Sequence, residues 1–346
     1  MTPRIAMVGA GYFAQFQLEG WADAGVPVQA LCDLDPARAQ ALAARHGVPG
    51  TYTDLATMLD AVQPTLLDVV LPPAAQHLVV TSALARRIPV ICQKPFGDDL
   101  AQAEAMTALA EQLKTPLVVH ENFRFTPWFR ECRRLIDAGL LGRVFGASFR
   151  LRTGDGQGPR AYLDRQPYFQ TMPRLLVRET GVHFIDTFRY LLGEVRAVTA
   201  RLRRLNPAIA GEDAALVQLE FDDARIGVFD GNRLNDHVAA DPRRTLGEFW
   251  LEGEGGVLRM DGDARLWFKP HQAPEHEHGY DTGPTDRAFG GACGRLQAHV
   301  LAHLHSGAPL ENGARDYLQN LYVQEAVYAS HAQGRTLSRA DFTPSS

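Results

Sequence analysis

The sequence predicts an α/β amino-terminal domain with a doubly wound parallel sheet, followed by a larger α+β domain on an open, mainly antiparallel sheet. Three observations carry this. Up to about His120, short aliphatic or β-branched runs alternate with alanine-rich stretches of helical length, the pattern of parallel strands joined by crossover helices. After Asn122 the apolar runs lengthen and become more strand-like. Finally, 346 residues exceed what one core usually organises, so two domains are expected, 1–121 and 122–346.

Five strands are expected in the first domain, at residues 5–8, 28–32, 67–71, 90–92 and 117–119, the last three apolar enough to be buried on both faces. Asp35–Pro36 caps and opens a helix that ends near Gly47, and Asp98 or Asp99 caps another running to about Lys114. A helix begins near Pro127, with Trp128, Cys132, Leu135 and Ile136 at helical spacing. Second-domain strands are expected at 144–152, 195–205, 214–221, 224–229, 247–252 and 256–260, with Asp222–Asp223 marking a tight hairpin. Helices are expected at 175–192, 295–305 and 315–332. Residues 269–285, rich in Pro, Gly and His without periodicity, read as a loop.

Composition narrows the function. A net charge of −5 with no long basic run argues against nucleic acid as a partner and leaves a small molecule. Arg201, Arg203 and Arg204 alternate with Leu202 and Leu205 as on the solvent face of a strand. The apolar runs are strand-length, far short of the roughly 20 residues that span a membrane. The start of the chain enters its first apolar segment without a signal-cleavage pattern. Four widely spaced cysteines, Cys32, Cys92, Cys132 and Cys293, form no CxxC pair and fit reduced thiols. A cytoplasmic protein is expected.

GAGYFA at residues 9–14 is a GxGxxA fingerprint between a strand and a helix. Gly9 permits the tight turn, Gly11 lets main-chain N–H groups approach a pyrophosphate, and Ala14 allows close helix–sheet packing. Tyr12 and Phe13 complete the turn, and the helix N-terminus favours the anion. Asp33 ends the second strand about 20 residues downstream, where a carboxylate accepts from adenosine ribose hydroxyls. Asp35, followed by Pro36, is the better helix cap, which leaves Asp33 for the ribose. A 2′-phosphate there would meet like charge, Leu34 brings no cation, and Arg38 helps only if its helix turns it inward. NAD is therefore the expected cofactor of this Rossmann-type domain, with NADP left open.

Two further groups carry chemistry. Lys94 follows the fourth expected strand, at the carboxyl edge where such sheets bind ligands. Its charge stabilises an alkoxide or polarises a carbonyl; the plainer alternative is a surface lysine before a turn proline. Glu179, His183 and Asp186 follow at +4 and +3 and share one face of a helix. Histidine exchanges a proton near neutral pH, and a neighbouring carboxylate orients it. The apolar flank Val182, Ile185, Phe188 and Leu192 points to burial, where unpartnered polar groups are costly. A polar stripe satisfied within the core is the alternative.

Together GAGYFA, LPPAAQH at 71–77, QKPFG at 93–97, HENFRFTP at 120–127 and ETGVHFID at 179–186 resemble the Gfo/Idh/MocA oxidoreductase family over nearly the whole chain. The resemblance implies that Lys94 is the lysine of the family's EKP signature and His183 its proton-transfer histidine. Gln93 stands where Glu is common, and Glu179 where many members carry Asp. Glu179 would tune His183, with Asp186 as the alternative orienting partner. Leu71, Pro72 and His77 would line the cofactor side, Gln93 and Asn122 would approach the nicotinamide end, and Arg124 and Pro127 would brace the domain connection.

Arg152, Arg160 and Tyr168 are nominated for the substrate by position before the histidine helix, and segment 154–159 either closes over a ligand or is a plain surface loop. The implied reaction moves a hydride between nicotinamide and a hydroxyl or carbonyl carbon of a sugar, polyol or related small molecule. Alternatives are a retained-NAD lyase or glycosidase and a non-catalytic NAD-responsive binding protein. No metal is expected, although His271, His276 and His278 alternate with Glu275 and Glu277. The open sheet implies a homodimer or homotetramer.

Overall fold

A computed structural model describes residues 3–342. By contact density the chain separates into two units, residues up to Asn122 with Gly291–Leu318, and Phe123–Gly290 with Gln319 onwards.

The first unit runs β1 (Ile5–Val8), α1 (Ala14–Asp23), β2 (Val28–Cys32), α2 (Pro36–His46), β3 (Gly50–Tyr52), α3 (Leu55–Val62), β4 (Leu66–Val69), α4 (Pro73–Ala85), β5 (Val90–Gln93), α5 (Leu100–Gln112) and β6 (Leu117–His120). Its six strands are parallel in the order β3-β2-β1-β4-β5-β6. β1, β4, β5 and β6 are buried throughout, as continuous apolar runs between two helical layers require. Asp35 caps α2, accepting from the Ala37 and Arg38 amides, and Gly47 closes it in the left-handed region. Asp99, not Asp98, caps α5.

The expected strand 67–71 is shorter in the structure because the chain leaves the sheet ahead of Pro72–Pro73, whose rings carry no amide donor. β3 escapes sequence reading for the opposite reason: it is a three-residue edge strand without a buried face.

The second unit contains α6 (Pro127–Asp137), β7 (Val144–Arg152), α7 (Val182–Leu192), β8 (Val195–Arg203), β9 (Ala214–Phe221), β10 (Ile226–Asn232), β11 (Gly247–Gly253), β12 (Gly256–Met260), β13 (Leu266–Pro270) and β14 (His276–His278). After these come α8 (Ala292–Ser306), which belongs to the first unit, α9 (Ala314–Gln333), which begins in the first unit and ends in the second, β15 (Leu337–Ser338) and α10 (Arg339–Phe342). The nine strands are ordered β14-β13-β12-β11-β7-β10-β9-β8-β15, with only β7 and β10 parallel.

One face of this sheet buries Phe149, Leu151, Phe229, Phe249 and Leu251 against α7, where the Phe184 ring stacks on Phe149 at 3.8 Å and on Phe229 at 5.3 Å. The other face presents Leu216 and Ile226 to solvent, with Val228, Trp250 and Trp267 half-buried beside charged residues.

Two expectations are corrected. Residues 269–285 are not all loop: they hold the end of β13 and the edge strand β14, whose His276 and His278 pair with Phe268 and Leu266. Main-chain pairing makes this strand, and its polar side chains gave no apolar period. The expected continuous helix 175–192 is instead a π-helical turn, Leu176–Gly181, leading into α7. Among the described residues no helix is long and apolar enough to cross a membrane.

Candidate active site

The turn after β1 is shaped by its glycines. Gly9 has φ +105° and a Cβ there would lie 2.2 Å from the Val70 carbonyl oxygen, so no other residue fits. A Cβ on Gly11 would meet nothing within 4 Å, which leaves its amide approachable. The N-terminus of α1 has neither a side-chain cap nor an acidic residue in its first turn, so its dipole is not already answered. Tyr12 is exposed, and half-buried Phe13 packs edge-on to Phe16 and His120 at 5.3 and 6.2 Å.

Asp33 accepts from the Ala10 amide at 2.7 Å and the Asp35 amide at 2.9 Å. Each carboxylate oxygen keeps a second lone pair for a ribose hydroxyl. Arg38 lies 3.3 Å from Asp35 instead of serving Asp33. The glycine turn, the unneutralised helix end and this carboxylate fit a dinucleotide without a 2′-phosphate.

One buried amide, Gln76 on α4, ties the neighbouring loops together. Its Nε2 donates to the carbonyls of Leu71, Gln93 and Pro95 at 3.1, 2.8 and 3.0 Å, and its Oε1 accepts from the Gly97 amide at 2.8 Å. Sequence reasoning nominated the next residue, His77, which is exposed; Leu71 is half-buried and Pro72 exposed. The missed signal was a glutamine in register with Val80, Ala83 and Leu84 on the buried face of α4. Gln93 is buried at the end of β5, and its Oε1 accepts from the Lys94 amide at 2.7 Å. Lys94 is half-buried and precedes a cis proline. Asn122, also buried, donates to Cys293 Sγ at 3.8 Å.

In the second unit His183 is 5% exposed and its ring lies flat against Phe123, centroids 4.0 Å apart. Asp186, one turn on, is fully buried. It accepts from Arg124 Nε and Nη2 at 2.8 and 2.6 Å and from Asn320 Nδ2 at 2.7 Å. A bidentate guanidinium–carboxylate pair of this kind fixes geometry as well as charge.

Glu179 lies in the π-helical turn that precedes α7, and His183 in the first turn of α7. The turn is held by Glu212, which accepts from the Leu175 and Val177 amides at 3.2 and 3.0 Å, and by the Tyr328 hydroxyl, which accepts from the Arg178 amide at 3.2 Å.

A second buried cation was missed from sequence. Arg233 pairs with Asp155 at 2.6 Å and donates to Thr180 Oγ1 at 2.9 Å, and that hydroxyl donates to Glu179 at 3.0 Å. Its guanidinium also lies 5.1 and 5.3 Å from the Tyr162 and Phe169 ring centroids. Burial pushes the Asp155 carboxyl up, but Arg233, Thr153 and Arg165 outweigh it and hold it below the usual carboxylate range. Nothing local in the sequence announces this cluster, because Asp155 and Arg233 lie on separate connections.

Segment 154–159 is pinned rather than open: Gly154 and Gly156 donate to the carbonyls of Asn235 and Arg233, and Asn206 donates to those of Gly156 and Gly158.

The nominated substrate residues differ in exposure and partners. Arg152 is buried and bound to Asp230 and to the Leu151 carbonyl. Arg160 is exposed and pairs with Asp164 at 3.0 Å. Tyr168 is 54% exposed, accepts from Gln166, and has its hydroxyl pKa raised first by burial and then by the Glu179 charge. His278 contacts Glu131 at 2.5 Å, while His276 packs edge-on to Phe268. Among the described residues no cluster of three His, Cys, Asp or Glu side chains is arranged to hold a metal.

Known proteins resemble this chain along nearly its full length. The chain is 32% identical to a D-apiose dehydrogenase of Paraburkholderia graminis, over 96% of this chain and 88% of that protein. It is 28% identical to a D-apiose dehydrogenase of Rhizobium rhizogenes, over 96% of both. A crystal structure of an oxidoreductase from Agrobacterium radiobacter, in complex with NAD+, L-tartaric acid and magnesium, superposes with a TM-score of 0.89 at 28% identity, covering 98% of this chain and 99% of that one. The oxidoreductase family's NAD-binding Rossmann domain matches residues 3–121 and its carboxy-terminal domain residues 129–259. The chain belongs to the Gfo/Idh/MocA family of NAD-binding oxidoreductases.

Proposed function

We propose that this oxidoreductase acts on a hydroxyl carbon of a sugar or polyol, with D-apiose and related pentoses the first candidates. The observation that carries the reading is the likeness, along almost the full chain, to two D-apiose dehydrogenases. NAD, when bound, supplies the two-electron acceptor.

The chain's own residues supply the rest. Gly9 and Gly11 admit the pyrophosphate, Tyr12 and Phe13 flank it, and Asp33 holds the adenosine ribose. Leu71, Pro72 and His77 border the cofactor, and Gln93 and Asn122 meet its nicotinamide end. Lys94 donates to the reacting oxygen and stabilises its alkoxide character, while His183 takes the hydroxyl proton. Glu179 tunes the imidazole, with Asp186, which accepts from Arg124, as the alternative orienting partner. Tyr168 and Arg160 are the exposed candidates among the substrate nominees, with Arg152 in a supporting position.

The test is a panel of sugars and polyols, D-apiose first, assayed with NAD and NADP by nicotinamide absorbance and product mass. Substrate-dependent NADH is expected. A changed product without net NADH would overturn this reading in favour of a lyase or glycosidase that retains its cofactor.

We also propose a cytoplasmic homodimer or homotetramer that covers Leu216, Ile226 and Trp250 on the open sheet face. Ile226→Asp should then lower the mass seen by sedimentation; an unchanged assembly would remove that face from the interface.

A further inference from the structure

We propose that Asp68 is a positioning residue for the cofactor side of the active site: through Gln17 it sets the hydrogen-bonding sense of residue 93, so that glutamine and not glutamate belongs there. The inference rests on the reading above, in which Lys94 and Gln93 serve the reaction, and it adds a residue in β4, the strand paired with β5.

Asp68 sits in β4 with no exposed surface. A carboxylate in the middle of a buried parallel sheet is costly unless hydrogen bonds answer it. Trp21 Nε1 donates to its Oδ2 at 2.7 Å. The Gln17 amide, oriented so that both of its ends are satisfied, donates its nitrogen to Oδ1 and Oδ2 at 2.6 and 2.7 Å. Gln17 itself is fully buried, and Gln297 donates to its main-chain carbonyl at 3.0 Å.

With its nitrogen drawn to Asp68, Gln17 presents its oxygen on the other side. That oxygen accepts from Gln93 Nε2 at 2.9 Å. Gln93 thereby turns its own Oε1 toward the Lys94 amide, 2.7 Å away. All three links run in one direction: the Lys94 amide donates to Gln93, Gln93 to Gln17, and Gln17 to Asp68.

An amide can accept at one end and donate at the other, whereas a carboxylate only accepts. Glutamate at position 93 would therefore aim an oxygen at the Gln17 oxygen, one residue removed from a second buried carboxylate. Glutamine at position 93 thus matches the buried Asp68 through Gln17. Burial pushes the Asp68 carboxyl up to about 7, opposed by the bonds from Trp21 and Gln297, so the relay is read above that pH, where Asp68 is the carboxylate that only accepts.

The relay makes a reversal testable. In Asp68→Asn the oxygen stays with Trp21 and the new amide nitrogen faces Gln17, which then rotates and offers a donor to position 93. Glutamate becomes the matched residue. The experiment is a cycle of wild type, Gln93→Glu, Asp68→Asn and the double variant, read by NAD Kd without any sugar and by kcat and KM with D-apiose or whichever sugar of the panel above yields NADH.

Gln93→Glu alone should weaken NAD binding and kcat/KM by about tenfold, the scale of coupling between directly contacting groups. Adding Asp68→Asn should restore most of that loss, which a merely damaged fold would not do. Effects that multiply, with no recovery in either readout, overturn the proposal. Should Asp68→Asn fail to fold, Gln17→Met removes the opposing oxygen and must shrink the Gln93→Glu penalty; an undiminished penalty overturns the relay equally. Lys94→Ala is run in parallel. If it leaves turnover intact, the assigned role of Lys94 falls while the NAD cycle still decides the relay. If it abolishes turnover and the cycle is additive, the relay alone falls.

Discussion

The cofactor-binding unit and the histidine-bearing unit hold their polar groups by different means. In the first, Asp33 and Gln76 are fixed largely by main-chain amides and carbonyls at strand ends. In the second, buried ion pairs do the fixing: Arg124 with Asp186, and Arg233 with Asp155. Main-chain bonds are local and tolerate side-chain change, whereas a buried charge depends on side chains remote in sequence, Arg124 and Asn320 for Asp186 and Arg233 and Arg165 for Asp155. Substituting Asp33 or Gln76 should therefore affect cofactor binding more than stability, and breaking either buried ion pair should affect stability first.

The sharpest way to break this contrast is to remove the proposed chemistry from each side. Lys94→Ala and His183→Ala should each lower kcat by roughly 10²–10⁴-fold, as for lost acid–base or polarising groups, with NAD affinity preserved. Wild-type turnover in either variant removes that residue from the reaction. Next in size is Arg124→Met, which strands the Asp186 charge and should destabilise the chain by about 3–5 kcal/mol. Denaturant midpoints measure it, and replacing both partners by apolar residues should recover much of the loss.

Asp33→Ala should weaken NAD binding on the order of tenfold to a hundredfold, since a hydrogen bond to a charged group contributes about 1.5–3 kcal/mol. Binding of NADP should suffer less. An unchanged NAD to NADP ratio would place Asp33 outside the ribose site and leave it as a brace between Ala10 and Asp35.

The smallest effect is a difference in pH response. Asp68 ionises at about 7 in the folded chain against 3.8 as the reference value, so the folded state binds its proton more firmly. Its contribution is fully present at the acid end of that window and is lost as pH rises through it. Cys92 and Cys293, whose charges interact with Asp68, stay neutral there because burial pushes both thiols up. Asp155 has the opposite sign: its folded pKa is depressed, so its contribution is present above the ordinary carboxylate range and lost as pH falls. Urea midpoints followed across pH should show Asp68→Asn and Asp155→Asn changing the slope in opposite senses; slopes that shift together contradict the contrast.

The same difference explains what could be read from the sequence. Gly9, Gly11 and Asp33 are legible because a tight turn and a strand-end carboxylate are set by position relative to one strand–turn–helix unit. Lys94 and His183 stand out only through motifs that are short and continuous. Gln76 was within reach, since a polar residue in register with Val80 and Ala83 marks the inner face of α4. Arg233 and Asp155 were not, because an ion pair joining two connections leaves no periodic trace in either. The π-helical turn at 176–181 was hidden too: it depends on Glu212 and Tyr328, both remote in sequence. β14 was overlooked because an edge strand of His-Glu-His needs only a partner's main chain.

The most direct test of the central claim is the yield of NADH per oxidised sugar, measured by absorbance and product mass in the same reaction for wild type and His183→Ala. Equal amounts of NADH and oxidised sugar in wild type, with both lost by orders of magnitude in the variant, are the predicted result. Product without NADH, or a variant that keeps pace with wild type, would contradict it.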